Sequence, residues 1–310
     1  ELRLLDSRIN LDFTYYNKES FDLLLPLPVP ASSGYGFYAT NGASMTNKGY
    51  EIGLTLVPVQ TDSFKWTWIT NFTRNENEVT GLGAGLERSQ LNAQEVAYAI
   101  PGQPFGVFYG TKFARDEDGN YLINQATGGI IQDPELGVIG DPNPDFKMNF
   151  INTFSYKGIT LRAQIDWREG GDVSSSSIEQ YLGRGVTKDT EDRERVHIIP
   201  GYYGNSDGTP ILDGGGNKIP NTTTISTNEL YFSPSGSNTF GINSVDEARI
   251  YDGTVYRLRE LSLTYDLPAK WLDRTPFGKI SFGFIANNLW YWAPNVPKYT
   301  NFDPETTSYG

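Results

Sequence analysis

The chain has 310 residues, 38% hydrophobic and 14% aromatic, with 33 glycines, 18 prolines and no cysteine. Its 37 acidic and 25 basic residues leave a net charge of −12, which opposes nucleic-acid binding because phosphate attraction requires clustered Lys and Arg. The lack of cysteine excludes a disulfide framework and a thiolate nucleophile, and the longest apolar candidate for a membrane helix, "FDLLLPLPVP" (21–30), is interrupted by Asp22 and three prolines.

In chain order the elements are strands. From about residue 4 to 16, Ile9, Leu11, Phe13 and Tyr15 alternate with Asn10, Asp12, Thr14 and Tyr16, and a period of two sends successive side chains to opposite faces of a pleat. Residues 17–47 read as a long loop. Next, Tyr50, Ile52, Leu54 and Leu56 alternate with Glu51, Gly53 and Thr55. After a short connection, Phe64, Trp66, Trp68 and Phe72 alternate with Lys65, Thr67, Asn71 and Thr73, with Ile69 breaking the polar face, so the pair forms a hairpin. A second long loop, 76–145, precedes Met148, Phe150, Phe154 and Tyr156. These turn through Lys157 and Gly158 into "ITLRAQIDWREGGD" (159–172), where Ile159, Leu161, Ala163, Ile165 and Trp167 interleave with Thr160, Arg162, Gln164, Asp166 and Arg168. A third long loop, 169–254, leads to "YRLRELSLTYDLP" (256–268) and "KISFGFIANNLWYW" (279–292).

Strand length decides the setting. Alternating runs of about ten residues match a tilted bilayer crossing, whereas soluble strands average about 5–6. Short connections at one end, long ones at the other and abundant aromatics are the marks of an outer-membrane barrel. The expected fold is therefore all-β: about seven long strands of a large antiparallel transmembrane β-barrel with long extracellular loops. Because single-chain bacterial barrels mostly close with even strand numbers, an odd count makes residues 1–310 a portion of a larger barrel. The competing reading is a secreted all-β carbohydrate-binding or adhesion module. Under that reading Trp66, Trp68, Leu161 and Ile165 are buried against a second sheet instead of facing lipid.

Across nearly the whole chain, an ordered set of stretches resembles the C-terminal third of SusC/RagA-like TonB-dependent outer-membrane transporters of Bacteroidota. They are "RINLDFTYYNKESFDLLL" (8–25), "TNKGYEIGLTLVPV" (46–59), "FKWTWITNFTRNENEVTGL" (64–82), "PGQPFGVFYGTKF" (101–113), "VIGDPNPDFKMNFINTFSYKGITLRAQIDWREGGDV" (138–173), "VYRLRELSLTYDLPAKWL" (255–272), "ISFGFIANNLWYWAP" (280–294) and "FDPE" (302–305). The resemblance implies a barrel of about 22 strands with a plugged lumen. It also implies import of oligosaccharides or peptides, energy delivered by TonB to a plug domain, and a SusD-like surface lipoprotein as cap. No plug, TonB box or final strand is found in these residues, so the plug-dependent steps rest on resemblance alone.

No residue set suggests an enzyme. His197 is the single histidine, in the charged stretch "EDRERVHIIP" (191–200), and no second His or Cys is available for a triad or a zinc site. Asp116, Asp118 and Asn120 in "RDEDGNY" (115–121) stand at alternate positions as in part of a calcium loop, but the remaining ligands are missing and "DGN" is a turn signal. Calcium is the one cofactor with any candidate ligands, and the turn is the preferred reading. The 169–254 loop holds 13 acidic and 6 basic residues, so over half of the charge imbalance lies there, on a solvated outer surface or a face for the cap. Loop aromatics, notably Tyr35, Tyr38, Tyr202, Tyr203 and Tyr231, suit stacking on sugars or packing against the cap, and each equally suits anchoring its own loop. Lumen-facing Arg162 and Asp166 are the remaining candidates for substrate contact, with ion pairing along the wall as their ordinary role.

Overall fold

The computed structural model describes residues 1–29, 31–91, 96–232, 239–242 and 244–307. One eight-stranded antiparallel meander runs through it, each strand bonded to its neighbours in chain order. Its strands are β1 (Leu2–Leu4), β2 (Ile9–Pro28), β3 (Phe37–Gln60), β4 (Phe64–Leu82), β5 (Pro144–Tyr156), β6 (Ile159–Gly170), β7 (Val255–Asp266) and β8 (Ser281–Trp292). No helix among the described residues is long and apolar enough to cross a membrane.

Register makes the sheet two-faced. On β6, Leu161 sits between Phe154 of β5 and Leu263 of β7, Ile165 between Phe150 and Leu258, and Trp167 between Met148 and Tyr256. On these rungs like meets like, so one face is mainly apolar and the other mainly polar; Asn152, between Trp68 and Ala163, and Thr70, opposite Phe150, are polar exceptions on the apolar face. Ile69, the exception in its alternation, pairs with Ile151 on the polar face, so the two break it together. The apolar face is uncovered: Leu161 is 38% exposed, Ile165 43% and Phe284 69%. The smaller sheets among the described residues lie in the long loops and have two to four short strands each, so none supplies the second layer of a sandwich.

Aromatic rings band this outer face. Tyr50, Phe72, Phe146, Trp167, Tyr256 and Trp292 form an unbroken ladder over β3 to β8, with centroid separations of 5.9, 5.3, 4.9, 5.4 and 5.4 Å. Nearer the short turns Trp66 stacks on Phe154 at 5.7 Å. Phe72 lies six positions from Trp66 along β4, about 20 Å of strand.

The loop expected over 17–47 is instead the outer half of a hairpin, because β2 and β3 stay paired from Ile9 and Leu56 to Pro28 and Phe37. Prolines did not end β2 because β1 covers only its first residues, Ile9 to Leu11. Among the described residues no strand pairs with that side of β2 beyond Leu11, so the missing N–H groups of Pro26 and Pro28 break no ladder bond there. Asp22 at φ 54° marks a bulge there, with register shifts between Ser20 and Leu24. The strand expected from residue 4 begins at Ile9, since Leu5, Asp6 and Ser7 all have positive φ and fold β1 back as an eighth strand.

The two longer connections carry their own structure. Residues 83–143 contain a four-stranded sheet of Ser89–Gln90, Ala97–Ala99, Val107–Gly110 and Gly137–Gly140. Residues 171–254 contain α1 (Ser176–Gly183), capped by the Ser175 hydroxyl, and α2 (Thr227–Tyr231), which opens with a Ser226–Glu229 capping box. Tyr202–Gly204 pairs in parallel with Leu122–Asn124, so the two connections share a sheet. Leu122, Ile123, Ile178, Ile225 and Leu230 are buried in this layer. A short helix, α3 (Ala269–Leu272), occupies the turn between β7 and β8.

Candidate functional site

The inner face of β6 and β7 holds the densest charge in the wall. In "VYRLRELSLTY" (255–265) the apolar residues fall at 256 and 258 and then at 261, 263 and 265, a slip of one in the alternation. The slip is a bulge: Leu258 pairs with Ile165 and Glu260 with Gln164, leaving Arg259 as the extra residue. Bulges re-aim a side chain, and here the guanidinium of Arg259 turns inward beside those of Arg257 and the β6 set.

A chain of polar contacts follows. Arg162 faces Glu260 at 3.4 Å, Gln164 donates to Asp166 at 2.9 Å, and Arg259 Nε donates to the other Asp166 oxygen at 2.6 Å. From outside the sheet, the one-turn 3-10 helix Pro304–Thr307 adds the Glu305 carboxylate and the residue before it adds that of Asp303. Arg259 Nη1 donates to Glu305 at 3.1 Å, Arg257 Nε lies 3.3 Å from Glu305, and an Arg257 Nη donates to Asp303. Arg162, Asp166 and Arg259 are partly exposed, so each such pair contributes at most about 1 kcal/mol to stability. The Arg257 side chain, at 5% exposure, is the desolvated member.

Arg168, one step up β6, donates to the carbonyls of Pro142 and Gly171 at 3.3 and 3.0 Å and thereby ties the roots of both long connections. Gly171 is at φ +74°, and a Cβ there would lie 2.5 Å from Arg168 Nη2 and 2.8 Å from Pro142 O, so glycine is required. An open cleft of about 480 Å³ has Asn71, Lys147, Arg168, Arg257, Arg259 and Glu305 in its wall.

Arg162 and Asp166 are thus brought together, as ion-paired members of the wall. The residues that sequence reasoning missed are Arg257, Arg259, Asp303 and Glu305, and the one-residue slip after Leu258 was the legible signal for the first two. The aromatic candidates do not converge. Tyr35, 75% exposed, lies in the turn at the tip of the β2–β3 hairpin, and Tyr38 is a strand residue on β3 paired with Leu27 rather than a loop residue. Tyr202 sits by a surface cleft of about 360 Å³ with the Lys218 ammonium 5.8 Å from its ring. Tyr203 is buried within its own loop layer. Hydrogen bonds with the Thr222 and Thr223 hydroxyls lower its phenol to about 8. Tyr231 is half-buried against Phe232 and Phe240 at 6.2 and 6.0 Å, and burial raises its phenol.

Asp116, Asp118 and Asn120 form a tight turn closed by Asp116 N to Asn120 O at 3.0 Å, with Gly119 at φ +84°. The Asp116 carboxylate accepts from the amides of Asp118 and Asn120, and Lys218 Nζ lies 2.8, 2.8 and 2.7 Å from Asp116, Glu117 and Asp118. Burial opposes ionisation of Asp116, yet the Lys218 ammonium and the Asn120 bonds hold its carboxyl at about 2. The same turn recurs at Asn205–Thr209 and Asp213–Asn217. His197 joins the Thr227 hydroxyl at 2.9 Å within the loop layer.

No family model matches the chain. Over 98% of its length it is 26% identical to TonB-dependent receptor P3 of Formosa agariphila, and over 100% it is 25% identical to TonB-dependent receptor P26 of the same organism. The chain is homologous to TonB-dependent receptors. It spans 30% of the length of each of those two. The solved RagAB peptide transporter matches 97% of this chain with 31% of its own, at a TM-score of 0.65 and 20% identity. The RagAB peptide importer in its 'open-open' state gives 0.64 over the same share of this chain, also at 20% identity. The structural matches show the fold, and the receptor matches bear out the resemblance to TonB-dependent outer-membrane transporters. This TonB-dependent receptor homologue is an outer-membrane β-barrel wall, its ringed apolar band toward lipid and its arginine-rich face toward the lumen.

Proposed function

We propose that the chain forms the C-terminal part of the barrel of an active importer that takes oligosaccharides or peptides across the outer membrane. The two-faced wall carries this reading. An apolar, aromatic-banded outer face suits lipid, while the inner face offers Asn71, Asn149, Gln164 and the paired arginines to a polar passenger. Among the described residues β1 and β8 have one neighbour each, and an unpaired edge is not tolerated in hydrocarbon. Further strands therefore complete the barrel, in keeping with the fraction of the receptors' length that the chain spans.

The layer built on residues 83–143 and 171–254 forms the extracellular vestibule on which a SusD-like lipoprotein closes, and TonB acts through a plug inside the completed barrel. Passage is binding and gating, with no bond made or broken. The name of the RagAB relatives favours peptides, and the exposed Tyr35 and Tyr38 suit either cargo. The test is uptake of fluorescent oligosaccharides and of fluorescent peptides by cells carrying the intact transporter, with and without TonB. TonB-dependent accumulation of one class is expected, and accumulation of neither would overturn the reading.

A further inference from the structure

Inside the wall the sign of charge is reversed. The chain carries net −12, yet the lumenal cleft of about 480 Å³ is lined by Lys147, Arg168, Arg257 and Arg259 against Asp166 and Glu305. The Arg257 side chain is 5% exposed, and the Nε atoms of Arg257 and Arg168 have no hydrogen-bond partner among the described residues. At Arg257 the 3.3 Å approach to Glu305 is a charge contact without hydrogen-bond geometry. Buried donors in that state favour an acceptor that reaches them.

The carboxylates that Arg257 and Arg259 do hold, apart from Asp166, are Asp303 and Glu305, carried on and beside a one-turn helix that belongs to no strand. Planar guanidinium forks match a carboxylate with two parallel bonds, which a neutral hydroxyl or amide cannot reproduce. The bulge at Arg259 and the rigid register of β6 and β7 hold these forks on the cleft wall.

We propose that this cleft is a carboxylate subsite on the transport path, occupied in the resting wall by Glu305 and Asp303 and taken over by the carboxylate of a passing substrate. The proposal rests on the import reading above. The shared chemistry has two sources, a uronic acid or the free C-terminus of a peptide.

The full transporter is titrated calorimetrically with two matched pairs: a glucuronate-ended tetrasaccharide and its carboxyl-reduced counterpart, and an N-acetylated tetrapeptide and its C-terminal amide. In one pair the acid is expected to bind about tenfold more tightly than its neutral partner, the gain typical of a charge-assisted pair. Arg259→Gln brings that ratio to about twofold or less, Arg259→Lys, which keeps charge but loses the fork, leaves it in between, and Glu305→Gln raises acid affinity by removing the resident competitor. Heat-modifiable gel migration shows that each variant is a folded barrel. Equal affinities within both pairs, or a ratio untouched by Arg259→Gln, overturn the subsite and assign the arginines to the chain's own carboxylates. Neutral cargo imported without acid preference sinks the subsite and leaves import standing, whereas acid-selective binding without energised uptake does the reverse.

Discussion

Lys218 shows how one side chain can take the place of a ligand. Its ammonium reaches three consecutive acidic residues, and Asp116, the innermost, has a fully buried side chain. Removing the cation in Lys218→Met leaves that carboxylate with only its turn bonds, at an expected cost of about 1–3 kcal/mol to the loop layer. Hydrogen exchange over 113–124 reports it. The pH dependence has a definite sign. Asp116 in the fold sits at about 2, below its ordinary 3.8, so its contribution is complete above 3.8 and is lost as pH falls through about 2. Exchange protection of the 115–121 turn, corrected for intrinsic rates, should fall across that window, and the Asp116→Asn variant should lack the step.

At the scale of elements, alternation governs both stability and position. Ile165→Arg puts a charge between the two aromatic levels of the lipid-facing band and should cost about 2–4 kcal/mol in a bilayer refolding assay. Inserting one alanine between Leu161 and Arg162 reverses the faces of half a strand and should prevent folding, as read by heat-modifiable migration.

Alternation is also what made the wall legible in advance. Ile159 to Trp167 announced lipid-facing β6, and Phe64 to Phe72 announced β4, because a period of two is a local property of the chain. The outer half of the β2–β3 hairpin was hidden because three prolines and Asp22 locally imitate a loop, whereas the pairing of β2 with β3 as far as Pro28 is a long-range property. Asp303 and Glu305 were illegible for another reason. They meet Arg257 and Arg259 across more than forty residues, and no local pattern encodes such a meeting.

At the scale of the molecule, a banded wall is joined to a loop layer that has its own interior. Ile123 is fully buried where the two long connections meet. Ile123→Asp places an unpaired charge there, costing about 3–5 kcal/mol, and should open both connections to protease together while the wall keeps its heat-resistant migration. Cleavage confined to 83–143 would show that the layers are independent.

The parallel rung between Tyr202–Gly204 and Leu122–Asn124 also has a mechanical consequence. Two ribbons rooted on different staves of the barrel, and riveted to each other above it, cannot swing separately. A displacement of one ribbon is therefore handed to the other, and the second ribbon is also closed on itself at its base, where the Gly253 amide donates to the Gly171 carbonyl at 3.0 Å.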